Sequence, residues 1–164
     1  MKLENIEITG CKLGKKTKTM NYYNKLDQKN YKIEDVEYAH PDLQKAAEGL
    51  VQYLAGAYRI EGDERDYFVV DGFSMDTKDK HKTIIIGGHM TNEYGYITAV
   101  KSGHIPLDES QDDLKMAISA FDLELFGYFF EGKALQGKID AFPINGEQEL
   151  EMSPEVEEEV NLDQ

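Results

Sequence analysis

A chain of 164 residues that is 40% hydrophobic suits one domain with an ordinary buried core. Its single cysteine, Cys11, excludes an intramolecular disulfide and any cysteine-based zinc site that subunits do not share. No apolar run nears the roughly 18 to 20 residues of a membrane span, and no charged-then-apolar leader follows Met1, so a globular cytoplasmic protein of net charge -14 is expected.

In chain order, residues 3–13 alternate loosely with Leu3, Ile6, Ile8, Cys11 and Leu13 apolar, and Gly14-Lys15-Lys16 supplies a turn, which predicts a strand opening a hairpin. Cys11 in that setting is read as a small buried hydrophobe rather than a nucleophile. Residues 17–24 and 30–38, rich in Thr and Tyr, predict two more strands around a polar turn at 27–30. A helix begins at His40-Pro41-Asp42, since proline suits the first helical position and Asp42 complements the dipole. Leu43, Ala46, Ala47, Leu50, Val51, Leu54 and Tyr58 then form one core-facing stripe.

After the polar break at 61–65, strands are predicted at 67–75, 82–90 and 94–101, with hairpin loops at 76–80 and 91–93. Gly87-Gly88-His89 reads as a β-bulge or bend. A second helix follows Ser110, whose hydroxyl is expected to cap it, with Asp112 and Asp113 at the positive end of its dipole. Leu114, Ala117, Ile118, Phe121, Leu125, Tyr128 and Phe129 form its core stripe. Leu123, Phe126 and Phe130 add a second apolar face that predicts burial against the tail or self-association as a homo-oligomer. A closing strand is expected at 138–144.

The two halves echo each other. Ile6-Glu7-Ile8-Thr9-Gly10-Cys11 matches Val69-Val70-Asp71-Gly72-Phe73-Ser74, and Ile60-Glu61-Gly62 matches Phe130-Glu131-Gly132. Gly10 to Gly72 is 62 residues, Leu43 to Leu114 is 71 and Gly62 to Gly132 is 70. The expected fold is therefore α+β: a degenerate duplication of three antiparallel strands and a helix, with pseudo-repeats at 1–62 and 66–132 inside one domain of residues 1–146.

Charge is polarised along this plan. Residues 1–33 hold eight lysines against Glu4, Glu7 and Asp27, a net +5. Residues 147–164 hold eight acids and no base: Glu147, Glu149, Glu151, Glu155, Glu157, Glu158, Glu159 and Asp163, with Pro154 among them. That stretch is read as a solvated acidic tail, either a solubility device or a polyanionic element for a basic partner.

The phosphate-binding glycine loop, the dinucleotide fingerprint, the Gly-x-Ser-x-Gly elbow and the His-Glu-x-x-His pair have no counterpart here. His40, His81, His89 and His104 do not share metal-ligand spacing, so no metal or cofactor is expected. The basic N-terminal region has nucleic-acid character: Lys15, Lys16 and Lys18 stand near Tyr22 and Tyr23, a mixture suited to neutralising phosphates and stacking bases. The competing reading is a solvated hairpin whose lysines guard a sheet edge, and the lack of arginine there weighs against base reading.

Tyr38-Ala39-His40-Pro41-Asp42-Leu43, the strand around Val70-Asp71-Gly72-Phe73, and residues 120–133 ending Gly127-Tyr128-Phe129-Phe130-Glu131-Gly132-Lys133 resemble small uncharacterised proteins encoded by bacteriophages and prophages of Bacteroidales-type hosts. The resemblance spans roughly residues 35 to 135. It implies a mobile-element origin and a role in replication, recombination or host takeover within the infected cell, and transfers no functional residue. The duplicated sheet-plus-helix pattern is also similar to the half-domains of sliding clamps. A clamp needs basic inner helices, whereas the second helix carries Asp112, Asp113, Asp122, Glu124 and Glu131 against Lys115.

The leading expectation is a non-enzymatic phage-type interaction protein that binds a basic host or phage protein through its acidic surface, with partial nucleic-acid mimicry against a defence system as one form. The alternatives are a single-stranded nucleic-acid-binding accessory factor using the lysine and tyrosine cluster, or a clamp-like scaffold.

Overall fold

The computed structural model describes residues 1–36, 40–78 and 80–133. Within them the chain forms β1 (Ile6–Leu13), β2 (Lys18–Asn24), β3 (Lys29–Asp35), α1 (Pro41–Glu48), α2 (Val51–Ala57), β4 (Phe68–Lys78), β5 (His81–Thr91), β6 (Ile97–Lys101), β7 (Ile105–Pro106) and α3 (Asp112–Phe130). All strand pairs are antiparallel, in the order β3-β2-β1-β4-β5-β6, with β7 pairing β5 beside the end of β6. The α+β architecture is as the sequence predicts. The closing strand at 138–144 and the acidic stretch at 147–164 lie outside the described residues.

The duplication has a geometric counterpart at the centre of the sheet. β1 meets β4 through Gly10↔Ser74, Cys11↔Phe73 and Lys12↔Gly72. Advancing by 62 residues turns Gly10 into Gly72 and Lys12 into Ser74, so the two outer pairs exchange and an approximate two-fold runs through Cys11 and Phe73. Each strand is bulged at the same place, between Ile8 and Gly10 in β1 and between Val70 and Gly72 in β4. The bulges sit where the backbones approach most closely. A Cβ on Gly72 would lie 2.0 Å from the Cys11 carbonyl oxygen, and one on Gly88, opposite Val70, would lie 2.0 Å from that of Val69. Glycine is required at both positions by space.

Period-two alternation puts Ile6, Ile8, Met20, Tyr22, Phe68, Val70, Ile84 and Ile86 on one covered face. The helices bury that face in a crossed manner. α1 and α2 follow the first three strands yet pack on β4, and α2 also packs on β5. α3 follows the second set but packs on α1 and reaches back to β2, where the Phe130 ring stands edge-on to Tyr22 at 5.6 Å. Lys133, just past α3, bridges Glu124 and Asp42 of α1, the latter at 3.0 Å.

The first helix starts as its sequence predicts: His40 is the N-cap, its Nδ1 accepting from the Asp42 amide at 3.2 Å, with Pro41 in the first turn. It is not continuous, however. Gly49 and Leu50 bond back three residues, to Ala46 and Ala47, and this tightened turn divides the expected single helix into α1 and α2. Leu43, Ala47, Leu50 and Leu54 remain buried across the break. Ser110 does not cap α3. Its hydroxyl is turned to Asp108, and Gln111 occupies the N-cap position without a side-chain bond. β6 begins later than predicted because Asn92 Oδ1 accepts from the amides of Tyr94 and Tyr96 and holds 92–96 as a loop.

Candidate functional site

A cleft of about 1060 Å³ opens where three segments meet: the β1–β2 turn, the α1–α2 junction and the segment leading into β4. The turn, closed by the Gly14 amide on the Thr17 carbonyl at 3.0 Å, supplies Leu13, Lys15 and Lys18. The helix junction supplies Gln44, Glu48, Val51 and Gln52, and the third wall supplies Arg65, Asp66, Phe68, Val70 and Asp71.

Two cations distinguish it. Lys18 shares strand parity with Met20 and Tyr22, so its side chain enters the covered side of the sheet and is only 6% exposed. It donates no hydrogen bond and joins no ion pair among the described residues. Arg65, from the 3-10 turn Gly62–Tyr67, presents a buried Nε with no hydrogen-bond partner. Buried polar groups are bonded in the great majority of folded proteins, and a charged one left alone is costly. The cleft thus has in its wall a buried guanidinium nitrogen without an acceptor and a lysine without a partner among the described residues.

At the margin, Asp71 is the extra residue of the β4 bulge, and both its carboxylate oxygens approach His89 Nδ1, at 3.0 and 3.2 Å. The carboxylate fixes the imidazole orientation and leaves Nε2 available for a proton or hydrogen bond. Outside the cleft, Asp122 of α3 has a buried Oδ1 without a partner among the described residues. Burial pushes its carboxyl up to about 7; Lys82 opposes this and Glu7 adds to it. Cys11 lies in the core, where desolvation pushes its thiol up to about 12 against a bond with the Phe73 backbone. It is a protonated, buried group, as its strand setting predicts.

The lysines and tyrosines singled out in the N-terminal hairpin are dispersed. Lys15 and Lys16 are exposed at the turn, and Lys18 faces the cleft. Tyr22 is 6% exposed and stacks on Tyr31 at 5.4 Å, whereas Tyr23 points to the opposite face, across from Glu7 and Asn30. The two tyrosines share no stacking platform. Of the apolar trio on α3, Phe126 is buried, Phe130 is partly buried against Phe126 and Tyr22, and Leu123 alone is exposed, at 57%. The second apolar face of α3 is thus covered largely within the chain. Glu147, Glu149, Glu151, Glu155, Glu157, Glu158 and Glu159 lie outside the described residues.

Sequence reasoning missed Arg65, Gln44 and Gln52 as cleft residues and the Asp71–His89 pair. The readable signal was Lys18, a lysine in register with inward-facing Met20 and Tyr22. No protein family, curated protein or solved structure matches this chain. Among the described residues no group of three or more His, Cys, Asp or Glu side chains is arranged to hold a metal ion, and no helix is long and apolar enough to cross a membrane.

Proposed function

We propose that this chain is a non-enzymatic interaction protein of the phage type, which docks on a basic host or phage protein through its acidic surface. The observation that carries this reading is where the charge resides. The described residues hold 17 Lys and Arg against 21 Asp and Glu, a net of -4, while residues 147–164 hold eight acids and no base. More than half of the chain's excess negative charge thus falls in residues 147–164, while the described residues are nearly balanced. Exposed acids on that body extend it: Glu61, Asp63 and Glu64 belong to or flank the 3-10 turn packed on α2, and Asp113 acts electrostatically on Tyr53 of the same helix. Such a field draws basic clefts in at long range and repels nucleic acid, which suits a mimic of DNA or RNA acting against a nucleic-acid-binding defence protein.

The test is affinity capture from host lysate at low salt, followed by measured binding of the recovered protein to the full chain and to a form lacking residues 147–164. Removing eight acids takes the net charge from -14 to -6. The expected result is a basic partner whose affinity falls steeply with salt and drops at least about tenfold on deletion. Unchanged affinity and salt dependence after deletion defeats the proposal. A gel shift with single-stranded DNA, abolished by charge reversal at Lys15 and Lys16, would favour the nucleic-acid accessory reading instead.

A further inference from the structure

We infer that the cleft walled by Lys18 and Arg65 is a binding site for a small phosphate-bearing ligand of about nucleotide size. This site is independent of the acidic docking surface, and an imbalance in the folded chain points to it. Lys18 is nine-tenths buried yet has no hydrogen bond or ion pair among the described residues, and Arg65 Nε is buried with no acceptor. Both line the same cleft. A lysine whose stem is buried and whose ammonium has no partner among the described residues is placed to meet an anion entering the cleft, and the planar guanidinium fork matches a phosphate in two-point geometry. Exposed Lys15 at the mouth adds a third positive charge on the entry path.

The rest of the lining restricts the ligand further. Glu48, Asp66 and Asp71 also face the space, so a bare multivalent anion meets repulsion there, and a polyanionic strand would meet it repeatedly. A ligand with one phosphate group and a body bearing hydroxyl or amino donors satisfies both sets of charges at once. Val51 and Val69 offer apolar surface for that body. The volume of about 1060 Å³ accommodates a nucleoside monophosphate, being just above the roughly 300 to 1,000 Å³ usual for small-ligand pockets.

The experiment titrates the full chain, labelled with nitrogen-15, with adenosine monophosphate, adenosine and inorganic phosphate at matched ionic strength. The expected result is saturable shifts of the amides at 13–18, 44–52 and 65–71 with the monophosphate, and affinities at least about tenfold weaker for adenosine and for phosphate alone. Lys18→Met and Arg65→Gln should each weaken the monophosphate about tenfold or more. The ligand-free thermal midpoint of Lys18→Met should be close to that of the parent, because methionine keeps the buried stem and Lys18 makes no hydrogen bond or ion pair among the described residues, so its loss of binding is not a loss of folding. Equal affinity for adenosine and its monophosphate overturns the inference, as does undiminished binding by a folded Lys18→Met protein. Absence of shifts across a panel of nucleoside and sugar monophosphates also overturns it. An oligonucleotide that displaces the monophosphate with higher affinity would replace the small ligand with a strand.

Discussion

Beside the ion pair of Glu7 and Lys82, Asp122 keeps one carboxylate oxygen buried and unbonded among the described residues. Desolvation raises its carboxyl from 3.8 to about 7, so the folded state holds a proton that the unfolded chain has released across that interval. Stability from this group is therefore full below pH 3.8 and lost as pH rises through about 7. The loss is on the order of 3 kcal/mol, since every tenfold change in proton affinity is worth about 1.4 kcal/mol and the site is not wholly dry. Asp122→Asn should flatten that slope and be more stable than the parent at pH 8 by about 1 to 3 kcal/mol, as urea unfolding at pH 5 and pH 8 would show; a parallel loss at both values would refute the assignment. Cys11 gives a second measurement. With its thiol held up at about 12 in the core, iodoacetamide should leave the native protein unmodified and alkylate it only after unfolding. Burial of Cys11 was legible from its neighbours in an alternating strand. The state of Asp122 was not, because it depends on which strand residues lie beneath the middle of α3, and helical spacing alone does not say so.

At the scale of elements, the bulged strands β1 and β4 set the tightest steric limits. The Cβ of Gly72→Ala would stand 2.0 Å from a backbone oxygen, and that of Gly10→Ala would stand 2.9 Å from the Phe73 oxygen. Backbone cannot swing aside as a side chain can, so Gly72→Ala should cost about 3 kcal/mol or more and Gly10→Ala about 1 to 2. Chemical denaturation of the pair checks the order, and equal costs would mean that the two bulges are not packed as described. In α3, Phe121 is fully buried with its ring 5.6 Å from that of Phe73, so Phe121→Ala should cost about 3 to 5 kcal/mol. The repeat made the equivalence of Gly10 and Gly72 visible in the sequence, whereas the bulge expected at Gly87-Gly88-His89 lies in the facing strand, at Asp71, and Gly88 instead makes room for the close approach of β4. The break at Gly49 and Leu50 was hidden, because the apolar stripe passes through it uninterrupted and only the three-residue hydrogen bonds reveal it.

Taken whole, the molecule is two similar halves that are not separable. Each half's helices reach over strands of the other: α1 and α2 lie over β4, and α3, besides packing Phe121 on Phe73 of its own half, reaches β2 through Phe130 and Tyr22. Residues 1–61 and 62–164, produced apart, should therefore be unfolded by circular dichroism, and mixing them should restore a one-to-one complex with the parent spectrum. A half that folds cooperatively alone would show the crossing to be incidental. The duplication was legible as a repeat of motifs, but the exchange of helices was not, since periodicity tells which face of a helix is apolar and not which strands it will meet. One outer strand carries a consequence of its own. Tyr58 Oη both donates to the Lys101 carbonyl and accepts from its amide, Ser102 Oγ takes the Ile86 amide, and Pro106 has no amide to offer. A foreign strand arriving at the β6–β7 border finds the Lys101 groups already engaged and no amide at Pro106, so templated fibril growth and strand-swapped pairing between copies are opposed at that point.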